Sequence, residues 1–286
     1  MNQRSGARRF KDVWRGVATA LGLDSQGVFI PYRYAATLDQ AAWHSPYAAL
    51  EILMHRHEPE FRSALGLIDQ HADALLALGR EAPPAPRFEQ DWFPRLDAAM
   101  AYAMVRKYRP RCIVEIGSGH STRFLARAAR DGGLDCALTA IDPAPRADIA
   151  GLAGVTLIKS TLQEAGLAPF GELHASDILF VDSSHVLMPG SDVDIVLNRI
   201  IPSLRLGVLV HVHDIFLPDD YPPEWAWRRY NEQQGLAPLL LGDRIELLFA
   251  SRYVATRLSE ALTGGVIARL SIPEGAYESS LWLRRI

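Results

Sequence analysis

Short apolar runs that end on glycine or acidic residues, with amphipathic stretches between them, limit this chain more than any other feature. Cys112 to Ile116 runs into Gly117-Ser118-Gly119, Ala137 to Ile141 into Asp142-Pro143, Ile178 to Val181 into Asp182, and Gly207 to Val212 into His213-Asp214. Val155 to Lys159, Glu246 to Ala250 and Leu281 to Arg285 are further runs of the same kind. Their lengths suit strands rather than helices. Leu96 to Tyr108, Ser121 to Ala129, Asp192 to Ile201, Glu224 to Gln234 and Tyr253 to Leu262 read as helices. Strands alternating with helices predict an α/β fold, a mostly parallel sheet covered on both faces. The connection between the two closing strands is not helical throughout, which predicts an antiparallel edge.

Residues 1–90 carry a different pattern and are expected to form an N-terminal helical and irregular extension, with the sheet domain over 91–286. Ala48 to His55 and Phe61 to Leu78 have apolar residues at helical spacing, with Pro59 near a helix start. Gly27 to Tyr34 is a short apolar and aromatic loop, and the prolines of Gly79 to Pro86 make a linker.

The balance of 33 acidic and 30 basic residues gives a net charge of -3, without the basic surplus that nucleic acid attracts. The start, Met1 to Lys11, is polar and basic, and Asp12, Arg15 and Asp24 interrupt any apolar core a signal peptide would need. No run approaches the roughly 18 apolar residues of a membrane span. The expectation is a soluble cytoplasmic protein with a small-molecule acceptor and no nucleic acid or membrane partner; its oligomeric state is left open. Cys112 and Cys136, the two cysteines, are expected as buried reduced thiols.

The bend Gly117-Ser118-Gly119 lies where a strand becomes a helix. Glycines let the backbone turn tightly and approach a ligand, and the helix N-terminus offers free N–H groups. Asp142 closes the next strand, 23 residues after Gly119. A carboxylate there can accept from ribose hydroxyls, so the pair reads as an adenosine-ligand site. A dinucleotide fingerprint wants a third glycine three residues after the second, where this chain has Thr122. That disfavours a nicotinamide dinucleotide and leaves it as the rival. Glu115, two residues before the first glycine, can face an ammonium.

Glu115-Ile116-Gly117-Ser118-Gly119 followed by Asp142 resembles motifs I and II of class I S-adenosylmethionine-dependent methyltransferases. The resemblance implies a Rossmann-like sheet, S-adenosylmethionine as cofactor, and Glu115, Gly117, Gly119 and Asp142 as its contacts. Ser121 stands where a third glycine is common and offers a hydroxyl. Ser160 and Thr161, after the third strand, fall where such enzymes usually contact adenine; a plain turn explains them equally well.

A second group closes the fourth and fifth strands: Asp182, His185, His213 and Asp214. Ligands of open α/β sheets bind outside these strand ends. Methyl transfer to an alcohol needs alignment and removal of the acceptor's proton, by a general base or by a metal that acidifies the hydroxyl. His185 suits a base, and Asp182 and Asp214 are oxygen ligands suited to magnesium or manganese; His213 as a third ligand tilts the choice toward softer transition metals. The segment is similar to methyltransferase family 24 and, more distantly, to metal-dependent macrolide-sugar O-methyltransferases. There an Asp-x-x-His segment supplies a ligand and the base, which maps onto Asp182 and His185. Of the acidic pair after strand five, Asp214 carries over and His213 replaces its partner.

The remaining polar groups have plainer readings. His211 is expected as a buried, hydrogen-bonded histidine, and Asp192 and Asp194 as helix-start acids. Phe216 to Trp227 would lie over the crevice as a lid. Its Tyr221, Trp225 and Trp227 either stack on an acceptor or bury against the N-terminal helices. Asp219 and Asp220 are expected as solvated acids, and Arg228 and Arg229 on an exposed helix face. The function expected is O-methylation of a small molecule or sugar. The rivals are a nicotinamide-dependent oxidoreductase and a non-catalytic S-adenosylmethionine-binding scaffold.

Overall fold

The computed structural model describes residues 13–23, 27, 32–37, 46–149 and 151–286. Contacts divide the chain into Met1–His44 and Ser45–Ile286. In the first unit residues 13–20 are helical and Ala35–Thr37 form a 3-10 turn. The basic start to Lys11 and residues 28–31 of the Gly27 to Tyr34 loop lie outside the described residues.

The second unit is built on seven strands: β1 (Cys112–Ile116), β2 (Ala137–Ile141), β3 (Val155–Ile158), β4 (Ile178–Val181), β5 (Leu209–Val212), β6 (Ile245–Ala250) and β7 (Leu281–Arg285). Their order across the sheet is β3-β2-β1-β4-β5-β7-β6. The first five run parallel, and β7 enters antiparallel between β5 and β6. This is the expected Rossmann-like sheet, mostly parallel with an antiparallel edge. β4 and β5 are buried along their whole length, which is why β4 reads as an unbroken apolar run and β5 as one broken only by His211. His211 is part of that core. Its ring stacks on Phe180 at 3.7 Å and exchanges a hydrogen bond with Ser280 Oγ. Burial, joined by the positive charge of His213, holds it well below its ordinary pKa.

Helices α1 (Ala48–Arg56), α2 (Glu58–Asp69) and α3 (Ala72–Ala77) belong to the same compact unit as the sheet. α2 lies on β6, with Phe61 edge-on to Phe249 and Tyr253, each at 5.8 Å. The helix expected over Phe61 to Leu78 is interrupted at Gln70-His71, and α3 resumes it. α4 (Arg95–Tyr108) and α5 (His120–Asp131) pack together beside the sheet. A short helix α6 (Leu162–Ala165) follows β3, and α7 (Asp192–Ile195) follows β4. α7 continues through a π-turn, Val196–Ile200, to Ser203. Pro202 near that end has no N–H to return to the preceding turn.

The helix expected over Glu224 to Gln234 is corrected. Pro223–Arg228 is a 3-10 segment, Arg229 turns left-handed at φ 57, and α8 (Glu232–Leu240) starts afterwards. The side chain of Asn231 explains the break, because its Oδ1 accepts the N–H of Leu187 at 2.6 Å and pins the chain to the loop after β4. α9 (Ser251–Arg257) ends before a separate 3-10 turn at Ser259–Leu262. Both cysteines are free and only partly buried, since Cys112 opens β1 and Cys136 directly precedes β2. Partial burial still pushes the Cys136 thiol up to about 12. No helix among the described residues is long and apolar enough to cross a membrane.

The order reverses between β1 and β4: β2 and β3 extend one way from β1, β5 the other way from β4. A crevice opens outside the strand ends at such a point. Gly117 and Asp182 are the first residues beyond these two strands.

Candidate active site

The bend after β1 is shaped by close approach. Gly117 has φ 79, and a Cβ there would overlap the carbonyl oxygen of Asp182. Its N–H reaches Ile141 O at 3.0 Å. Asp142, closing β2, accepts from the Ser118 N–H at 2.7 Å and the Ser118 hydroxyl at 3.0 Å, and its other oxygen accepts from Ala144 N–H at 2.7 Å. Glycine bend and acid are therefore locked together.

Beside them lies a cavity of about 480 Å³, within the range of small-molecule sites. Gly117, Ser118, Asp142, Thr161, Asp182 and Asp192 contribute to its wall. Thr161 also caps α6 by accepting the Glu164 N–H. Asp192 reaches back from the first turn of α7 to the Ser184 N–H at 2.8 Å and the Ser184 hydroxyl at 2.5 Å, beyond the expected helix-start role. Glu115, Gly119, Ser121 and Ser160, also expected at the cofactor, are not among the lining residues. Glu115 is fully buried and accepts from the Ser121 and Thr122 hydroxyls, each at 2.6 Å, inside the N-terminus of α5. Burial pushes its carboxyl up to about 8 despite these donors.

Behind Asp182 lies a buried cluster of imidazoles and carboxylates. His185 Nε2 is 3.3 Å from Asp182 Oδ1 and 3.5 Å from Asp214 Oδ2. His213 Nδ1 is 3.6 Å from Asp182 Oδ1 and 3.5 Å from Asp214 Oδ1. The outer nitrogens face two carboxylates that sequence reasoning missed. His185 Nδ1 is 2.8 Å from Glu232 Oε2, and His213 Nε2 is 3.4 Å from Asp97 Oδ2. Glu232 accepts from the Ser183 hydroxyl at 3.0 Å, and Asp97 from the N–H groups of Ser279 and Ser280. Each outer acid sits in the first turn of a helix, where an acid is already accounted for by the helix dipole, so neither stood out.

His185 and Asp214 both adopt left-handed backbone, φ 60 and φ 55. Such strain in residues other than glycine persists where surroundings over-determine it and gathers at functional sites. Here the carbonyl of His185 accepts the N–H groups of Asn231 and Glu232. Burial alone would lower the pKa of His185, but contacts with Asp182 and Glu232 and the charges of Asp214 and Glu232 raise it well above its ordinary value. For His213 burial is likewise outweighed, first by Asp214 and then by Asp182 and Asp97. Asp182, which burial would raise, is carried well below the usual carboxylate range by the two imidazoles.

Asp182, His213 and Asp214, expected as metal ligands, are thus brought together, with each carboxylate 3.3–3.6 Å from an imidazole nitrogen. Among the described residues no set of three or more histidines, cysteines or acids is arranged to hold a metal ion.

The lid over the cluster is aromatic. Tyr230 lies 4.5 Å from the His185 ring, and Trp225 packs on Phe216, Tyr230 and Tyr277. Arg228 is not on an exposed helix face. Its guanidinium sits 4.0 Å from the Trp225 ring centre and 3.9 Å from Asp214 Oδ2. Asp219, expected in solvent, is paired with Arg257 at 2.6 Å, and Asp220 accepts from the Tyr47 hydroxyl at 3.1 Å.

Residues 114–215 match a family profile described as a methyltransferase domain. No curated protein matches the chain in sequence. Solved structures similar to it include a methyltransferase from Podospora anserina bound to S-adenosylhomocysteine. It is 15% identical, covers 91% of this chain and 99% of that one, and has a TM-score of 0.43. An O-methyltransferase from Bacillus cereus in complex with S-adenosylhomocysteine is 14% identical over 78% and 91%, with a TM-score of 0.43. The O-methyltransferase TomG from Streptomyces achromogenes, involved in tomaymycin synthesis, is 17% identical over 78% and 88%, with a TM-score of 0.39. The matched stretch opens at Val114 just before the glycine bend and closes at Ile215 just after the acid of strand five, so the similarity to a methyltransferase domain spans the strand ends that form the site.

Proposed function

We propose that the chain is an S-adenosylmethionine-dependent methyltransferase acting on an oxygen of a small molecule or sugar, with His185 as the base. The observation that carries this reading is Asp142. Inside the stretch that matches the methyltransferase profile, its carboxylate locks the glycine bend and stands in the wall of the cavity. Asp142, Asp182 and Asp192 set a negative field there, opposed by Arg146, which suits a donor carrying a sulfonium and an ammonium.

The donor supplies a methyl group already activated on sulfur. The chain aligns the acceptor with that methyl and takes its proton. The acceptor's hydroxyl proton passes to His185 Nε2 as its oxygen bonds the methyl carbon, and the electron pair of the broken carbon–sulfur bond stays on sulfur. Asp182 belongs to both the cavity wall and the cluster, so donor and base adjoin.

Isothermal titration tests the reading. S-adenosylhomocysteine should bind in the micromolar range and NAD negligibly. Asp142→Ala should weaken S-adenosylhomocysteine roughly 10- to 100-fold, the loss of hydrogen bonds to a charged acceptor. Tight NAD binding, or an affinity untouched by Asp142→Ala, would overturn it.

No step of this reading is routed through magnesium or manganese, since among the described residues no set of three or more candidate donors is arranged to hold an ion. Turnover should survive excess chelator. A collapse that added magnesium or manganese reverses would replace the metal-free route.

A further inference from the structure

We propose that Glu232 is the positioning residue of methyl transfer, fixing the proton of His185 on Nδ1 so that Nε2 is left to receive the acceptor's proton. The inference rests on His185 being the base. Glu232 is fully buried, and its Oε2 lies 2.8 Å from His185 Nδ1. A carboxylate accepts hydrogen bonds and donates none, so a nitrogen hydrogen-bonded to it carries a proton. Nε2 lies farther from its own carboxylates, 3.3 Å from Asp182 and 3.5 Å from Asp214, so an imidazole that gives up one proton keeps the one held at 2.8 Å on Nδ1 and frees the lone pair of Nε2. Asp182, beside Nε2, is a residue of the cavity wall.

Ser183 makes the arrangement testable. Its Oγ lies 3.2 Å from the His185 N–H, which it accepts, so its own proton goes to Glu232 Oε1 at 3.0 Å. A glutamine in place of Glu232 keeps the shape but has one acceptor end. The Ser183 hydroxyl holds the amide oxygen toward itself, and the amide NH2 turns to His185 Nδ1. That nitrogen must then accept, which drives the proton onto Nε2, the wrong tautomer for a base there. Removing the serine hydroxyl frees the amide to flip and present its oxygen to Nδ1.

The experiment compares kcat and KM of wild type, Glu232→Gln, Ser183→Ala and the double variant, with S-adenosylhomocysteine affinity and Tm measured for each. Glu232→Gln should lower kcat by about 100-fold or more, the scale of a wrong tautomer in other histidine-based sites. Affinity for S-adenosylhomocysteine and Tm should stay near wild type. Ser183→Ala alone should be mild, and the double variant should recover at least about tenfold of the lost rate. A merely structural role for Glu232 predicts no such recovery. Retained kcat in Glu232→Gln, or a double variant no faster than the single, overturns the inference. If His185→Ala also retains its rate, the base assignment itself has failed.

Discussion

His185→Ala is expected to lower kcat by about 10²- to 10⁴-fold, the usual contribution of a positioned general base. S-adenosylhomocysteine should bind that variant almost as well as wild type, because His185 is buried behind Asp182 and does not line the donor cavity. The pH profile should carry the same signature. Asp182, Glu232 and Asp214 raise the pKa of His185 above its ordinary value, so the imidazole keeps its proton to higher pH than a free histidine and accepts nothing until it loses that proton. Rate should therefore climb with pH along a limb above the ordinary histidine range. Asp214→Asn removes one of the stabilising charges and should move that limb to lower pH. A flat profile in wild type, or an unchanged rate in His185→Ala, would remove the base.

Gly117→Ala should cost more stability than any other glycine substitution at the bend. Two costs combine at this position: φ 79, and a methyl overlapping the Asp182 carbonyl oxygen, which is backbone and cannot swing aside. Gly166 is the control. It has φ 71 and ψ -166 but nothing within 4 Å of its would-be Cβ, so Gly166→Ala carries the conformational cost alone, about 1–3 kcal/mol. Gly117→Ala should exceed roughly 3 kcal/mol in denaturant unfolding, or fail to accumulate as soluble protein. Any soluble fraction should have lost S-adenosylhomocysteine binding, since relief of the overlap separates β1 from β4 at the crevice. Similar losses in the two variants would mean that the close approach is not what demands glycine.

The legible and illegible parts of this chain differ in how far apart their partners lie. β1, β2, β4 and β7 could be read to the residue because each is a short, mainly apolar stretch bounded by turn or polar residues, and β4 is buried on both faces throughout. Gly117 and Asp142 were legible because turn and acid each close a strand in one βαβ unit. The inner cluster was half legible for the same reason, since Asp182 and Asp214 end strands. Glu232 lies 47 residues from His185, and Asp97 joins the cluster through the segment leading into β7. No local pattern marks a helix-start acid as one that turns inward. Glu115 shows the converse. Its place in the motif suggested the ligand, yet two hydroxyls one helical turn on hold it inside the protein. The lid was misread as one helix because its break depends on Asn231 meeting Leu187, a tertiary contact.

Asp182 has one further effect. A single carboxylate faces the chamber proposed for the donor on one side and the His185 ring on the other. A positively charged sulfur arriving in that chamber competes with the ring for the same negative charge and loosens the ring's hold on its proton. By reciprocity, surrender of that proton tightens the hold on the cation. The spent donor, whose sulfur is neutral, exerts no such pull. Loading with fresh donor thus primes the machinery to accept a proton, and turnover resets it.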